Sequence, residues 1–166
     1  TKAPIKKLKE TIPQLEGKSE LVLLDSAPGL GEEAQTTISL ANFSIIVVTP
    51  DLAAVSDARK TLKLIKELNR KVLGVVLNRT HVGDELSASD IETFLEAPVL
   101  GTIPDDFHIR NAYKLKVPVS FAHSDCPSTT SYKKLAAKLI GDHYEEFLPE
   151  KKQSSMMKYI KEGLLG

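Results

Sequence analysis

The chain has 166 residues, with 22 basic and 22 acidic side chains and a hydrophobic share of 42%. That is enough for one domain with a real core. The zero formal charge gives no strong field toward nucleic acid or a membrane, so no nucleic-acid partner is expected. The single cysteine, Cys126, excludes an internal disulfide and fits a reducing, cytoplasmic setting. No apolar run approaches the roughly 18 residues that span a bilayer. The basic start, Thr1 to Lys7, is not followed by the apolar segment of a signal peptide. The chain opens on Thr1 rather than Met, which reads as a sign that residues preceded it.

In chain order, Ile5, Leu8, Ile12 and Leu15 space a first helix that Pro13 kinks or ends. Leu21–Leu24 is a continuous apolar run, the pattern of a strand buried on both faces. A short helix over Glu32–Leu40 follows, then a second apolar run, Ile45–Val48. Leu52, Val55, Ala58, Leu62, Ile65 and Leu68 recur every three or four residues and predict a helix with Asp51 as its N-cap. Val72–Leu77 is a third strand-like run, Ser89–Leu95 a short helix, and Val99–Ile103 a fourth run. His108–Leu115 and Thr130–Ile140 read as two further helices, separated by Val117–Phe121, a short edge strand or a loop. The alternation predicts an α/β fold with a parallel sheet and flanking helices.

Each apolar run ends in polar or turn-forming residues: Asp25-Ser26, Thr49-Pro50-Asp51, Asn78-Arg79 and Pro104-Asp105-Asp106. In a parallel sheet these carboxyl ends share one rim, where open α/β sheets bind ligands. Each group also has a purely local reading. Asp25 serves equally as a turn former, Pro28-Gly29 as turn chemistry, Asn78 as a strand cap, Pro104-Asp105 as helix-start punctuation and Asp51 as a helix cap. Cys126 reads as an incidental thiol. His81, His108, His123 and His143 show no metal-ligand spacing and are assigned no metal.

The segment Asp25-Ser-Ala-Pro-Gly-Leu-Gly31 resembles the Walker-B and switch-II region of MinD/ParA-type ATPases, with the closest flavour in archaeal MinD-like proteins. Val47 to Ala58 resembles that family's next strand and helix start, and Gly74-Val-Val-Leu-Asn-Arg79 its strand ending in an adenine-contacting Asn. Pro98 to Asp106 is similar to the following strand and its Ile-Pro-acid turn, and Asn111-Ala112 and Val117-Pro-Val119 fall in the family's order. The likeness runs from about Glu20 to Ile140 and rests on the ordered set, since no single motif decides it. It implies a P-loop NTPase architecture of the nitrogenase iron protein type. By position, Asp25 would orient Mg²⁺ through water and the Pro28-Gly29 segment would respond to the γ-phosphate of ATP. Asn78 would read the adenine edge, with Arg79, Pro104 and Asp105 framing the base. Asp57 would lie on the face that meets an activator protein. Such proteins dimerise face to face on Mg-ATP, and the dimer positions division or other cellular machinery.

The family's phosphate loop, KGGxGK[ST], has no counterpart: no Gly-x-x-x-x-Gly-Lys-[Ser/Thr] occurs in the chain. That loop supplies the backbone cradle, the phosphate lysine and the Mg²⁺-binding hydroxyl. The expectation is therefore the carboxyl-terminal portion of a longer ATPase, without the P-loop strand and inactive alone. Other readings are a partner-binding module derived from the fold, or a metallochaperone-type ATPase on the same scaffold. A Cys-x-x-Cys pair, usual in that last group, is missing here.

Residues 1–141 are expected to form the α/β domain, 142–153 a linker and 154–166 an amphipathic tail helix. In the tail, Met156, Met157, Tyr159, Ile160 and Leu164 share one arc, and Lys158, Lys161 and Glu162 the other, with Leu165 misplaced among them. The resemblance implies weak, dimer-dependent peripheral membrane contact through this helix. The same pattern also suits a helix packed on its own domain or a frayed terminus.

Overall fold

The computed structural model describes residues 2–15, 17–142 and 144. The expected tail helix, and nearly all of the expected linker, lie outside the described residues. Helix α1 covers Lys2–Thr11 and passes into a 3-10 turn, Ile12–Leu15, where Pro13 has no N–H for a continuing α-helical ladder. Helix α2, Glu32–Leu40, matches its predicted bounds.

Three strands form one parallel sheet in the order β1 (Phe43–Val48), β2 (Lys71–Thr80), β3 (Val99–Pro104). The run Leu21–Leu24 is not a fourth strand. It has no regular secondary structure, and Leu21 and Leu23 are 63% and 80% exposed. A buried strand needs a neighbour to complete its hydrogen-bond ladder. Among the described residues the outer edge of β1 is free, and residues 21–24 pair with no strand. The apolar composition was legible, but no strand is paired with it to complete a ladder.

Helix α3 (Leu52–Glu67) crosses from β1 to β2, and α4 (Ala88–Leu95) from β2 to β3. The stripe predicted for α3 is the buried one, with Val55, Ala58, Leu62 and Ile65 facing Ile46, Val48, Val75 and Leu77 of the sheet, while Leu52 stays exposed. Ile91 and Leu95 of α4 close the same core. Ser87 caps α4 in a reciprocal box with Asp90, which satisfies two otherwise orphaned N–H groups. Gly74 sits at a register irregularity of β2 with φ +156°. A Cβ there would overlap the Pro98 carbonyl oxygen and lie 2.8 Å from Leu100 Cγ, so the strands approach only around glycine.

After β3 come α5 (Phe107–Leu115), α6 (Val119–Ala122) and α7 (Pro127–Ile140). The segment Val117–Phe121 is neither strand nor loop: Pro118 precedes the single helical turn α6, and its carbonyl accepts from the N–H groups of Phe121 and Ala122. Helix α7 starts three residues earlier than periodicity suggested, because Pro127 occupies its first turn, where the missing N–H costs nothing. It covers β3 at Gly101, where a Cβ would sit 3.5 Å from Leu135 Cδ1.

Candidate functional site

The carboxyl ends of the three parallel strands converge, as the sequence pattern requires. At the end of β1, Asp51 caps α3. Its Oδ1 accepts from the Ala54 N–H at 2.8 Å and its Oδ2 from the Thr49 hydroxyl at 2.5 Å. The Thr49 hydroxyl, then the Ala54 N–H, hold this carboxyl below the usual carboxylate range. Asp51 is therefore engaged as a helix cap.

At the end of β2 the ladder to β3 is interrupted. Asn78 pairs with Ile103 and Thr80 with Pro104, so Arg79 is the extra residue of a bulge, with φ +58°. A left-handed backbone is unfavourable for a residue with a Cβ. Bulges of this kind re-aim side chains beside functional sites. Here Arg79 Nη2 lies 3.9 Å from Asp105 Oδ2. Two more basic side chains approach the same carboxylate: His81 Nε2 at 3.3 Å and Arg110 Nη2 at 3.7 Å. Asp105 is only 15% exposed, and its backbone N–H donates to the Thr80 carbonyl at 3.1 Å. The rim thus holds one carboxylate among three basic side chains, an arrangement that attracts an anion or a polar ring edge.

A cleft of about 320 Å³ opens beside this cluster, lined by Pro50, Leu77, Thr80, His81, Gly83 and Asp84 together with the start of α4. Its size is at the lower end for small-molecule sites. A second concavity of about 380 Å³ lies at the end of α5, among Tyr113, Lys116, Val117 and Pro118, and shares none of these groups.

Of the sequence-predicted residues, Asn78, Arg79, Pro104 and Asp105 are brought together by the β2–β3 register. Asp25 and Gly29 are not part of that cluster. They lie on the exposed segment between the first helical stretch and α2, where the Asp25 side chain has no polar partner among the described residues. Gly29 has φ +85° and open space around it, so the turn itself selects glycine there. Asp57 is exposed on α3 and pairs with Lys60 Nζ at 2.8 Å. His81 and Arg110 were missed by sequence reasoning; neither carries a motif signal, and only the fold sets them at Asp105.

Asp106 was grouped with the rim, yet it faces inward. It is 8% exposed and caps α5. Oδ1 accepts from the His108 N–H at 2.9 Å, and Oδ2 accepts from the Ser128 N–H at 3.1 Å and its hydroxyl at 2.8 Å. Burial pushes this carboxyl up, but the hydrogen bonds from His108 and Ser128 outweigh it and hold the group well below the usual range.

No helix among the described residues is long and apolar enough to cross a membrane. The family model described as ParA, NUBPL iron-transfer P-loop NTPase, matches residues 5–140. An uncharacterized ATP-binding protein of Methanocaldococcus jannaschii is 37% identical over 166 residues, covering 99% of this chain and 62% of that protein. The solved cell division ATPase MinD of Pyrococcus furiosus superposes with a TM-score of 0.77 at 26% identity, over 82% of this chain and 58% of that one. The septum site-determining protein MinD of Pyrococcus horikoshii, solved with Mg-ADP, gives 0.76 at 25% identity, over 81% and 56%. The chain thus spans about three fifths of the length of the relatives it matches. With most of its sequence matched by one family and its parallel sheet superposing on MinD structures, the chain belongs to the ParA (NUBPL-type) family of P-loop NTPases.

Proposed function

We propose that this chain is the carboxyl-terminal, base-reading part of a MinD/ParA-like ATPase. In this reading Mg-ATP-driven homodimerisation positions division or other cellular machinery. The observation that carries it is the Arg79 bulge: a left-handed arginine beside Asn78, directed at Asp105, at the strand ends where this fold binds ligands. Strain of this kind is retained where a side chain must be aimed.

The donor chemistry fits. The Asn78 amide offers one donor edge and one acceptor, as an adenine edge requires, and Arg79, Pro104 and Asp105 frame the base. The Asp25 carboxylate is a hard oxygen ligand suited to Mg²⁺ through water. Gly29 gives the γ-phosphate-responsive turn its positive φ. Bound Mg²⁺ would neutralise phosphate charge, and catalysis of this class is positioning plus charge stabilisation. The phosphate cradle itself is not among the residues of this chain. Partner contact is assigned to the Asp57 face of α3, and weak membrane contact to Met156, Met157, Ile160 and Leu164.

A second reading, a metallochaperone-type ATPase on the same scaffold, draws on the iron-transfer description of the matching family. Size-exclusion chromatography with light scattering on the intact protein tests the first reading. ATP with Mg²⁺ should give a dimer, and Asp25→Ala should abolish hydrolysis while leaving the fold intact. Turnover retained in Asp25→Ala would remove Asp25 from its role. An intact protein that neither binds nor hydrolyses ATP would leave only a partner-binding module. Liposome co-sedimentation with and without residues 154–166 tests the tail; unchanged sedimentation would sink membrane contact.

A further inference from the structure

Away from the nucleotide rim, the starts of α5 and α7 meet around Asp106. Ligand atoms of Asp106, His108 and Cys126 all lie within 4.8 Å of one another. His108 Nδ1 is 2.7 Å from Asp106 Oδ1. The Cys126 sulfur is 6% exposed at the residue level and lies 3.2 Å from Ser128 Oγ and 3.3 Å from Thr129 Oγ1. Its chain supports it: Cys126 is the N-cap of α7, and Thr129 Oγ1 donates to the His123 carbonyl at 2.8 Å.

A second observation lies beside the same cluster. His123 packs edge-on against His108, ring centroids 4.6 Å apart. Its Nε2 is the one buried side-chain nitrogen or oxygen without a hydrogen-bond partner among the described residues. A buried imidazole nitrogen left unpaired costs about 1–3 kcal/mol, so such an atom in a native protein calls for a reason. Three side chains beside it are metal-ligand types.

We propose that Asp106, His108 and Cys126 form a three-residue binding site for a divalent transition cation of the zinc class, with water in the fourth position. One nitrogen, one thiolate and one carboxylate oxygen suit a borderline-soft ion rather than Mg²⁺ or Ca²⁺. Tetrahedral zinc bonds of about 2.0–2.3 Å place ligand atoms roughly 3.3–3.7 Å apart, so the widest separation closes by roughly 1–1.5 Å and the 2.7 Å His108–Asp106 contact opens to admit the ion. On binding, the thiol proton leaves to water and a sulfur–metal bond replaces the S–H bond; nothing is oxidised or reduced. The Ser128 bonds to the second Asp106 oxygen then serve to orient the ligand carboxylate, as outer partners do in metal sites. The sequence gives no metal-ligand spacing here, because the Asp106-Phe-His108 pair and Cys126 become one site only when α5 and α7 are brought together. The proposal does not depend on the nucleotide reading.

The test uses the intact protein, stripped of metal by chelation and titrated with Co²⁺ alone. We expect one equivalent to give a thiolate-to-cobalt charge-transfer band with tetrahedral visible bands. Cys126→Ser should remove the charge-transfer band, and His108→Gln should weaken affinity at least tenfold. Cobalt at a Mg-nucleotide site would show no thiolate band, so failure of either reading is told apart. Excess Co²⁺ that produces no such band, or a band that survives Cys126→Ser, overturns the proposal. Should Cys126→Ser fail to fold, Zn²⁺ must slow alkylation of Cys126 in the unmutated protein, read by mass spectrometry. An unchanged alkylation rate overturns it equally.

Discussion

Asp106 and Ser128 are 22 residues apart in sequence, yet one carboxylate oxygen of Asp106 accepts both the backbone N–H and the hydroxyl of Ser128. Its other oxygen caps α5 through the His108 N–H. A single buried acid therefore ties the starts of two helices together, and both carry the partial positive charge of a helix N-terminus.

The first prediction concerns this tie. In Asp106→Asn the amide NH₂ replaces one acceptor oxygen, so the N–H of His108 or of Ser128 loses its partner inside the protein. Urea unfolding of metal-free protein should show a loss of about 2–3 kcal/mol. The pH dependence follows in sign. The folded carboxyl titrates below an unfolded Asp, so its contribution is complete above about pH 4 and is lost as pH falls toward the folded value. Asp106→Asn should flatten that acid limb of the stability curve; an unaltered limb would assign it to other groups.

A second prediction separates strain from binding at Arg79. Arg79→Gly relieves the left-handed backbone but gives up an exposed ion pair and adds unfolded-state freedom. Stability should stay within about 1 kcal/mol of the parent by chemical denaturation. Nucleotide affinity of the intact protein, measured by fluorescence titration, should fall about tenfold. Loss of stability with affinity unchanged would mean that the bulge serves the fold alone.

The third prediction contrasts two glycines. Gly74→Ala forces a Cβ against the Pro98 carbonyl and Leu100, and should cost about 3 kcal/mol. Gly101→Ala meets Leu135 Cδ1 at 3.5 Å, an ordinary contact, and should shift stability by less than about 1 kcal/mol. Parallel thermal melts of the two variants would show the difference; equal shifts would contradict the close approach at Gly74.

What the sequence revealed depended on how local the cause was. Glu32–Leu40, the buried stripe of α3 and the Asp51 cap rest on interactions within a few residues, and all were legible. Leu21–Leu24 was misread as a strand because apolar composition reports what a segment can bury, not whether a neighbouring strand is there to bury it. Val117–Phe121 became a helical turn because Pro118 fixes the backbone at a helix start, which a short apolar run does not reveal. Asn78, Arg79 and Asp105 were read from the sequence as strand-end residues, and the β2–β3 register does bring them together. The left-handed conformation of Arg79 was not, since arginine has no sequence signature for positive φ. The inward role of Asp106 was hidden because its partner Ser128 is distant in sequence.

Asp105 and Asp106 stand back to back. One side chain lies among Arg79, His81 and Arg110, and the next fastens α5 to α7. A trans peptide fixes their Cα atoms about 3.8 Å apart, leaving no slack between them. The rim cluster around Asp105 and the junction of α5 with α7 at Asp106 therefore share a single backbone link, so a substitution at either acid sits one peptide unit from the other's partners.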